Sequence, residues 1–221
     1  MKGSVFIKLF VNLLLVLLMI PNLLLKSQDR AHSYISTSEA GKLLSTRFEN
    51  LPFLIFPEIR EHPIQWYDSL KTSWLTEDYS NATYKLAAQP GEYFVYQVGI
   101  WAFRGPIHDI NVLFSDLERA DGKSIPAGKM TCFNEGGINE QGNSFSKTVN
   151  IAFGRVQSLW MGIDLTDVSE GIYEGSVYTL SDGNLQSIPI QLDVQGNKFD
   201  NQGFNEGKRL SRMAWLNTSI G

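Results

Sequence analysis

The sequence predicts an all-β fold, a sandwich or a barrel of strands, preceded by an N-terminal signal or anchor helix. Three observations carry this. Strand-like runs recur at short spacing from Thr83 to Val194, with Gly-rich turns and no long helix between them. Aromatic residues make up 12% of the chain and many sit in alternating patterns, which suits strands. The first 28 residues join a positive end to a long apolar run.

That run has Lys2 and Lys8 ahead of it and extends from Leu9 to Leu25, broken only by Asn12, Pro21 and Asn22. Its length matches the shortest spanning helices. Pro21 breaks a helix near its end, which suits a signal peptide better than a permanent anchor. No small-x-small pattern precedes Lys26, and Ala31 is a weak cleavage candidate. No cysteine lies near the run, so a lipoprotein anchor is excluded. The chain is therefore expected to be exported: periplasmic, extracellular, or held at the membrane by an uncleaved helix.

Residues 29–82 read as an irregular lead-in. A short helix is expected over Ser36 to Phe48, with Ser38 as its cap and Leu43, Leu44 and Phe48 on one face. Pro52, Pro57 and Pro63 make the following stretch extended rather than helical. Residues 83–195 form the expected strand domain. Its strands are Thr83 to Ala88, Glu92 to Ala102, Asp109 to Ser115, Met130 to Phe133, Thr148 to Ile151, Arg155 to Ile163, and a hairpin of Gly171 to Leu180 with Leu185 to Val194. Pro90-Gly91 and Asp121-Gly122 mark turns, and Asp182-Gly183-Asn184 joins the hairpin. Expected core residues are Val95, Tyr96, Val98, Ile100, Val156, Leu159, Met161 and Ile163. Residues 196–221 read as a linker and the start of a following domain.

Charge removes one class of function. The formal net charge of −4 hides an asymmetry, because residues 1–28 hold three lysines and no acid. The remainder carries 16 basic residues against 23 acidic ones, or −7. Nucleic acid demands a concentrated positive surface, and no long basic run offers one. The single cysteine, Cys132, has no disulfide partner within the chain and reads as a small buried thiol.

No P-loop, dinucleotide-binding glycine fingerprint, HExxH or zinc-like cluster is present, and no cofactor or metal is expected. His32, His62 and His108 lie in separate segments. Asp164, Asp167, Glu170 and Glu174 cluster in sequence, but a glycosidase needs two carboxylates facing each other across a cleft. These four read as a solubilising loop. Among the tryptophans, Trp101 and Trp160 fall in strong strands and read as core. Trp66 and Trp74 lie in the irregular lead-in and are the candidates for a flat platform against a glycan. Asn81-Ala82-Thr83 and Asn217-Thr218-Ser219 are sequons, meaningful only in a eukaryotic secretory pathway.

Five phrases and a tail carry a resemblance. They are Gln89 to Ala102 (QPGEYFVYQVGIWA), Phe114 to Leu117 (FSDL), Cys132 to Gly137 (CFNEGG), Gly154 to Asp164 (GRVQSLWMGID), Gly171 to Val177 (GIYEGSV), and then Arg209 to Gly221 (RLSRMAWLNTSIG). In order and spacing they resemble the N-terminal domain of bacterial proteins related to glycoside hydrolase family 123, over residues 50–221. The resemblance implies an antiparallel β-sandwich, of Ig-like or jelly-roll type, ahead of a catalytic (β/α)8 barrel. It implies enzymes that remove N-acetylgalactosamine with help from the substrate's acetamido group. Their adjacent Asp-Glu pair sits in the barrel, and no position here matches it. The expected role is a non-catalytic sandwich that supports such a barrel. The alternatives are a stand-alone carbohydrate-binding module and a structural domain without a ligand. On the first reading Arg209, Arg212, Trp215 and Leu216 are the expected contacts between domains.

Overall fold

The computed structural model describes residues 34–199 apart from 49–50, 65–68, 77–78 and 80. The export segment and the tail from residue 200 lie outside the described residues. The described chain opens with β1 (Tyr34–Ser36) and helix α1 (Thr37–Arg47). Ser36, not Ser38, caps that helix. Its hydroxyl accepts from the Glu39 amide at 3.4 Å and donates to Glu39 Oε2 at 2.7 Å. Then come β2 (Leu54–Ile59), β3 (Ser69–Lys71) and a short helix α2 (Thr72–Thr76). The remaining strands are β4 (Tyr84–Ala88), β5 (Tyr93–Trp101), β6 (Ile107–Phe114), β7 (Leu117–Glu118), β8 (Ser124–Ile125) and β9 (Met130–Cys132). They continue as β10 (Gly136–Ile138), β11 (Ser144–Ser146), β12 (Val149–Ile151), β13 (Val156–Asp164), β14 (Gly171–Ser181) and β15 (Asn184–Val194).

The chain is mostly β, in several largely antiparallel sheets. A four-stranded sheet runs β2-β5-β13-β9. A seven-stranded sheet runs β12-β6-β14-β15-β4, with β7 and β8 appended. Only the β15–β4 pairing of these is parallel. The inner faces of the two sheets share one buried cluster. Tyr96, Val98, Ile100, Leu159, Met161 and Ile163 of the smaller sheet belong to it, as do Ile188, Ile190 and Leu192 of the larger.

All eight expected strands are present, and the lead-in contributes a further strand to the smaller sheet. β2 pairs with β5 from Leu54↔Trp101 to Ile59↔Tyr96, so the lead-in supplies an edge strand of the smaller sheet. The stretch is extended, as its prolines require, and Pro57 lies within the strand. An edge strand needs hydrogen bonds on one side only, so a proline without an N–H is tolerated there.

The same lead-in explains why β5 is buried from Phe94 to Trp101 without alternation. One face of the strand meets the larger sheet. The other lies under a second cluster, in which Ala40, Leu44, Leu70, Trp74 and Leu75 cover Leu54, Phe56, Trp101 and Val156. Val156 is thus core of this outer layer rather than of the space between the sheets. Gly99 makes the layer fit. A Cβ there would lie 2.3 Å from the Phe56 ring, so only glycine lets that ring lie flat on the sheet.

The β14–β15 hairpin pairs without a break from Gly171↔Val194 to Ser181↔Asn184. Its turn is two residues, Asp182 and Gly183, at φ 48° and 77°. Both are left-handed, as a turn matching strand twist requires, and Asn184 already belongs to β15.

Candidate functional site

Register fixes what the outer face of the smaller sheet presents. Glu58, Gln97 and Trp160 form one row, and Phe56, Gly99 and Ser158 the next. The polar members are committed. Glu58 Oε2 accepts from Lys71 Nζ at 2.8 Å and from Trp74 Nε1 at 3.1 Å. Its Oε1 accepts from the Ile59 amide at 3.1 Å, and His62 Nδ1 lies 3.5 Å away. Gln97, fully buried, donates to Ile59 O and accepts from the Ile64 amide and the Ser158 hydroxyl. These groups clamp the lead-in to the sheet. Among the described residues they leave no free acid–base pair on this face.

This arrangement corrects the platform expected at Trp74. Its indole is 6% exposed, stacks on Phe56 at 4.5 Å and spends its N–H on Glu58. A ring this buried, stacked on Phe56, approached by Lys71 Nζ at 5.1 Å and with its donor occupied cannot offer a flat surface to a sugar. Trp66 lies outside the described residues, as do Arg209, Arg212, Trp215 and Leu216. Trp160, expected in the core, is instead half-buried on the outer face, as is Tyr93. Trp160 alternates on β13 with Leu159 and Met161, which face the larger sheet, and so falls on the opposite face.

The acidic cluster does not converge. Asp164 accepts from the Thr166 amide and hydroxyl at the end of β13. Asp167 is exposed, 4.0 Å from Lys129. Glu174 projects from β14 and accepts from Gln191. His108 is exposed, and His62 sits beside Glu58. Among the described residues no group of three metal-binding side chains occurs. Two hollows, of about 270 and 240 Å³, lie beside Lys85–Ala87 and beside the β14–β15 turn. Both are smaller than most sites for drug-sized ligands.

Cys132 is buried, and burial followed by the nearby Glu135 charge pushes its thiol up to about 12. A thiol held protonated is no nucleophile. Burial also raises the Glu135 carboxyl, which accepts from the Val112 amide at 2.7 Å and so ties the β9 end to β6. The cysteine has a consequence for stability. Above the ordinary thiol pKa of 9.0 the unfolded chain releases this proton while the folded chain keeps it. The unfolded state then binds fewer protons, and stability falls as pH rises. By pH 10 the loss reaches about 1 kcal/mol. Urea melts at pH 8 and pH 10 should show a shallower decline for Cys132→Ala than for the parent.

The outer face of the larger sheet is a second broad surface. Tyr178 lies opposite Leu113, and Leu180 opposite Leu185. Leu113 and Leu185 are 51% and 58% exposed, and Tyr178 and Leu180 are half-buried.

No family model and no curated protein matches the sequence. Among solved structures, the chain is similar to a family 123 glycoside hydrolase from Clostridium perfringens, at 19% identity and a TM-score of 0.42. That match covers 52% of this chain and 23% of the other. It is similar to the N-terminal domain of PorA at 12% identity and a TM-score of 0.33, over 66% and 98% of the two chains. It is similar to a PapD-like domain of human CEP192 at 10% identity and 0.30, over 54% and 84%. Likenesses of this size carry no argument about activity.

Proposed function

We propose that this chain is the non-catalytic N-terminal β-sandwich, of Ig-like or jelly-roll type, of an exported glycoside hydrolase of the family-123 kind. In this reading it supports a catalytic (β/α)8 domain directed at N-acetylhexosaminides. The supporting observation is where the resembling phrases fall. Gln89 to Ala102 contains β5, Gly154 to Asp164 contains β13, and Gly171 to Val177 opens β14. These are interior strands of the two sheets. The likeness is therefore one of framework, which fits a supporting role. Export rests on the apolar run from Leu9 to Leu25.

The chain alone should release no chromophore from a nitrophenyl N-acetylhexosaminide beyond the buffer rate. Turnover that disappears in Asp164→Asn or Glu170→Gln would overturn the reading. The second test is the gene beyond the Gly221 codon, which should encode a barrel bearing an adjacent Asp-Glu pair. A carbohydrate-binding module is the second reading, favoured by the half-buried Trp160 and Tyr93 on one sheet face. Retardation by immobilised glycan, lost in Trp160→Ala, would favour it.

A further inference from the structure

We propose that the chain's own segment Arg209–Gly221 docks on the outer face of the larger sheet, over Leu113, Tyr178, Leu180 and Leu185. Three independent matches select this occupant. The first is apolar. The four side chains are cross-strand neighbours on three adjacent strands, β6, β14 and β15. Two of them are more than half exposed, and beside the patch the face presents Asn111, Ser176, Ser187 and Gln191, with the half-exposed Ile172 standing apart toward the other end of β14. A contiguous exposed apolar patch is what partners cover. The segment supplies Leu210, Met213, Trp215, Leu216 and Ile220.

The second match is charge. Asp109, Glu118, Glu174 and Asp193 lie at outward positions on the strands of this face, against Lys85. Glu118 pairs directly across from Glu174, a like-charge contact that costs stability unless a cation approaches. Residues 207–221 contain Lys208, Arg209 and Arg212 and no acid.

The third match is reach. Phe199 is fixed at the far end of the hairpin, its amide donating to Pro90 O at 2.8 Å. From Val194 back to Leu185 along β15 is about 30 Å at the usual strand rise. An extended chain from Phe199 to Arg209 spans up to about 33–36 Å. The segment can therefore lie along the face with its tryptophan over the patch.

The test uses the full chain with a photo-crosslinking benzophenone amino acid in place of Leu185, an exposed position whose replacement leaves the core intact. Irradiation should give an intramolecular adduct to residues 209–216, with a yield independent of protein concentration. Arg209→Glu with Arg212→Glu should abolish it. Dimeric adducts that grow with concentration would overturn the proposal in favour of a second copy. Adducts to residues 1–33, no adduct, or a yield unchanged by the charge reversal would overturn it as well. None of these outcomes depends on whether the chain serves a glycoside hydrolase.

Discussion

Leu159→Ala should destabilise the protein by about 2–5 kcal/mol, the usual cost of a large-to-small change in a packed core. Leu159 is fully buried and lies near the middle of β13, opposite Val98 of β5. Its side chain belongs to the cluster shared by both sheets. The lost transfer energy is one part of the cost, and the cavity is the other. Collapse is restricted here, because β13 is held by β5 on one side and β9 on the other, and each strand's backbone is fixed by its ladder. The cost should therefore lie in the upper half of the range. Leu113→Ala is the control. It removes the same atoms from a position that the sheets leave 51% exposed, and even beneath the docked Arg209–Gly221 segment should cost no more than about 1 kcal/mol. Paired urea melts read both. Equal midpoints for the two variants would mean that the two sheets do not share the core described.

The contrast between those two leucines shows what the sequence could and could not reveal. Alternation and turn residues placed β4, β5, β6, β13, β14 and β15 to within about two residues, because alternation bounded by turn residues marks a strand whatever strand it pairs with. The same patterning could not assign faces on β5. Val95, Gln97, Gly99 and Trp101 point away from the space between the sheets, yet all are buried. Their cover comes from residues 40–75, far off in sequence and punctuated by prolines. A run apolar on both faces was the available signal, since a strand with one wet face should alternate. The short hairpins β7–β8 and β10–β11 lacked that patterning and were missed. The site fared worse than the fold. Trp74 lies in a segment that reads as irregular, and only the approach of Glu58 and Phe56 in space buries it. Glu58 itself gave no sign, because a lone acid beside a proline reads as solvated loop.

That carboxylate is the position where a single polar change should do most harm. Glu58→Leu should cost about 3 kcal/mol, the lower end of the range for breaking a buried ion pair. Glu58 and Lys71 side chains are 12% and 10% exposed, so neither charge is well hydrated. Removing the carboxylate strands the Lys71 ammonium and leaves the Trp74 N–H without its acceptor. The Lys71 ammonium keeps one attraction, the Trp74 ring at 5.1 Å, and its flexible stem can turn toward water. Those escapes hold the cost near the low end. The loss should act first on the outer layer, because Glu58 is the polar link between β2 and the β3–α2 segment. Trp74 fluorescence should therefore report release of that layer at lower denaturant than the melting of the sheets. Adding Lys71→Met should restore much of the loss, since the stranded charge is then gone and an apolar side chain fills its place. If the double variant is as unstable as Glu58→Leu alone, the damage comes from the vacated carboxylate's other hydrogen bonds and not from the unpaired lysine.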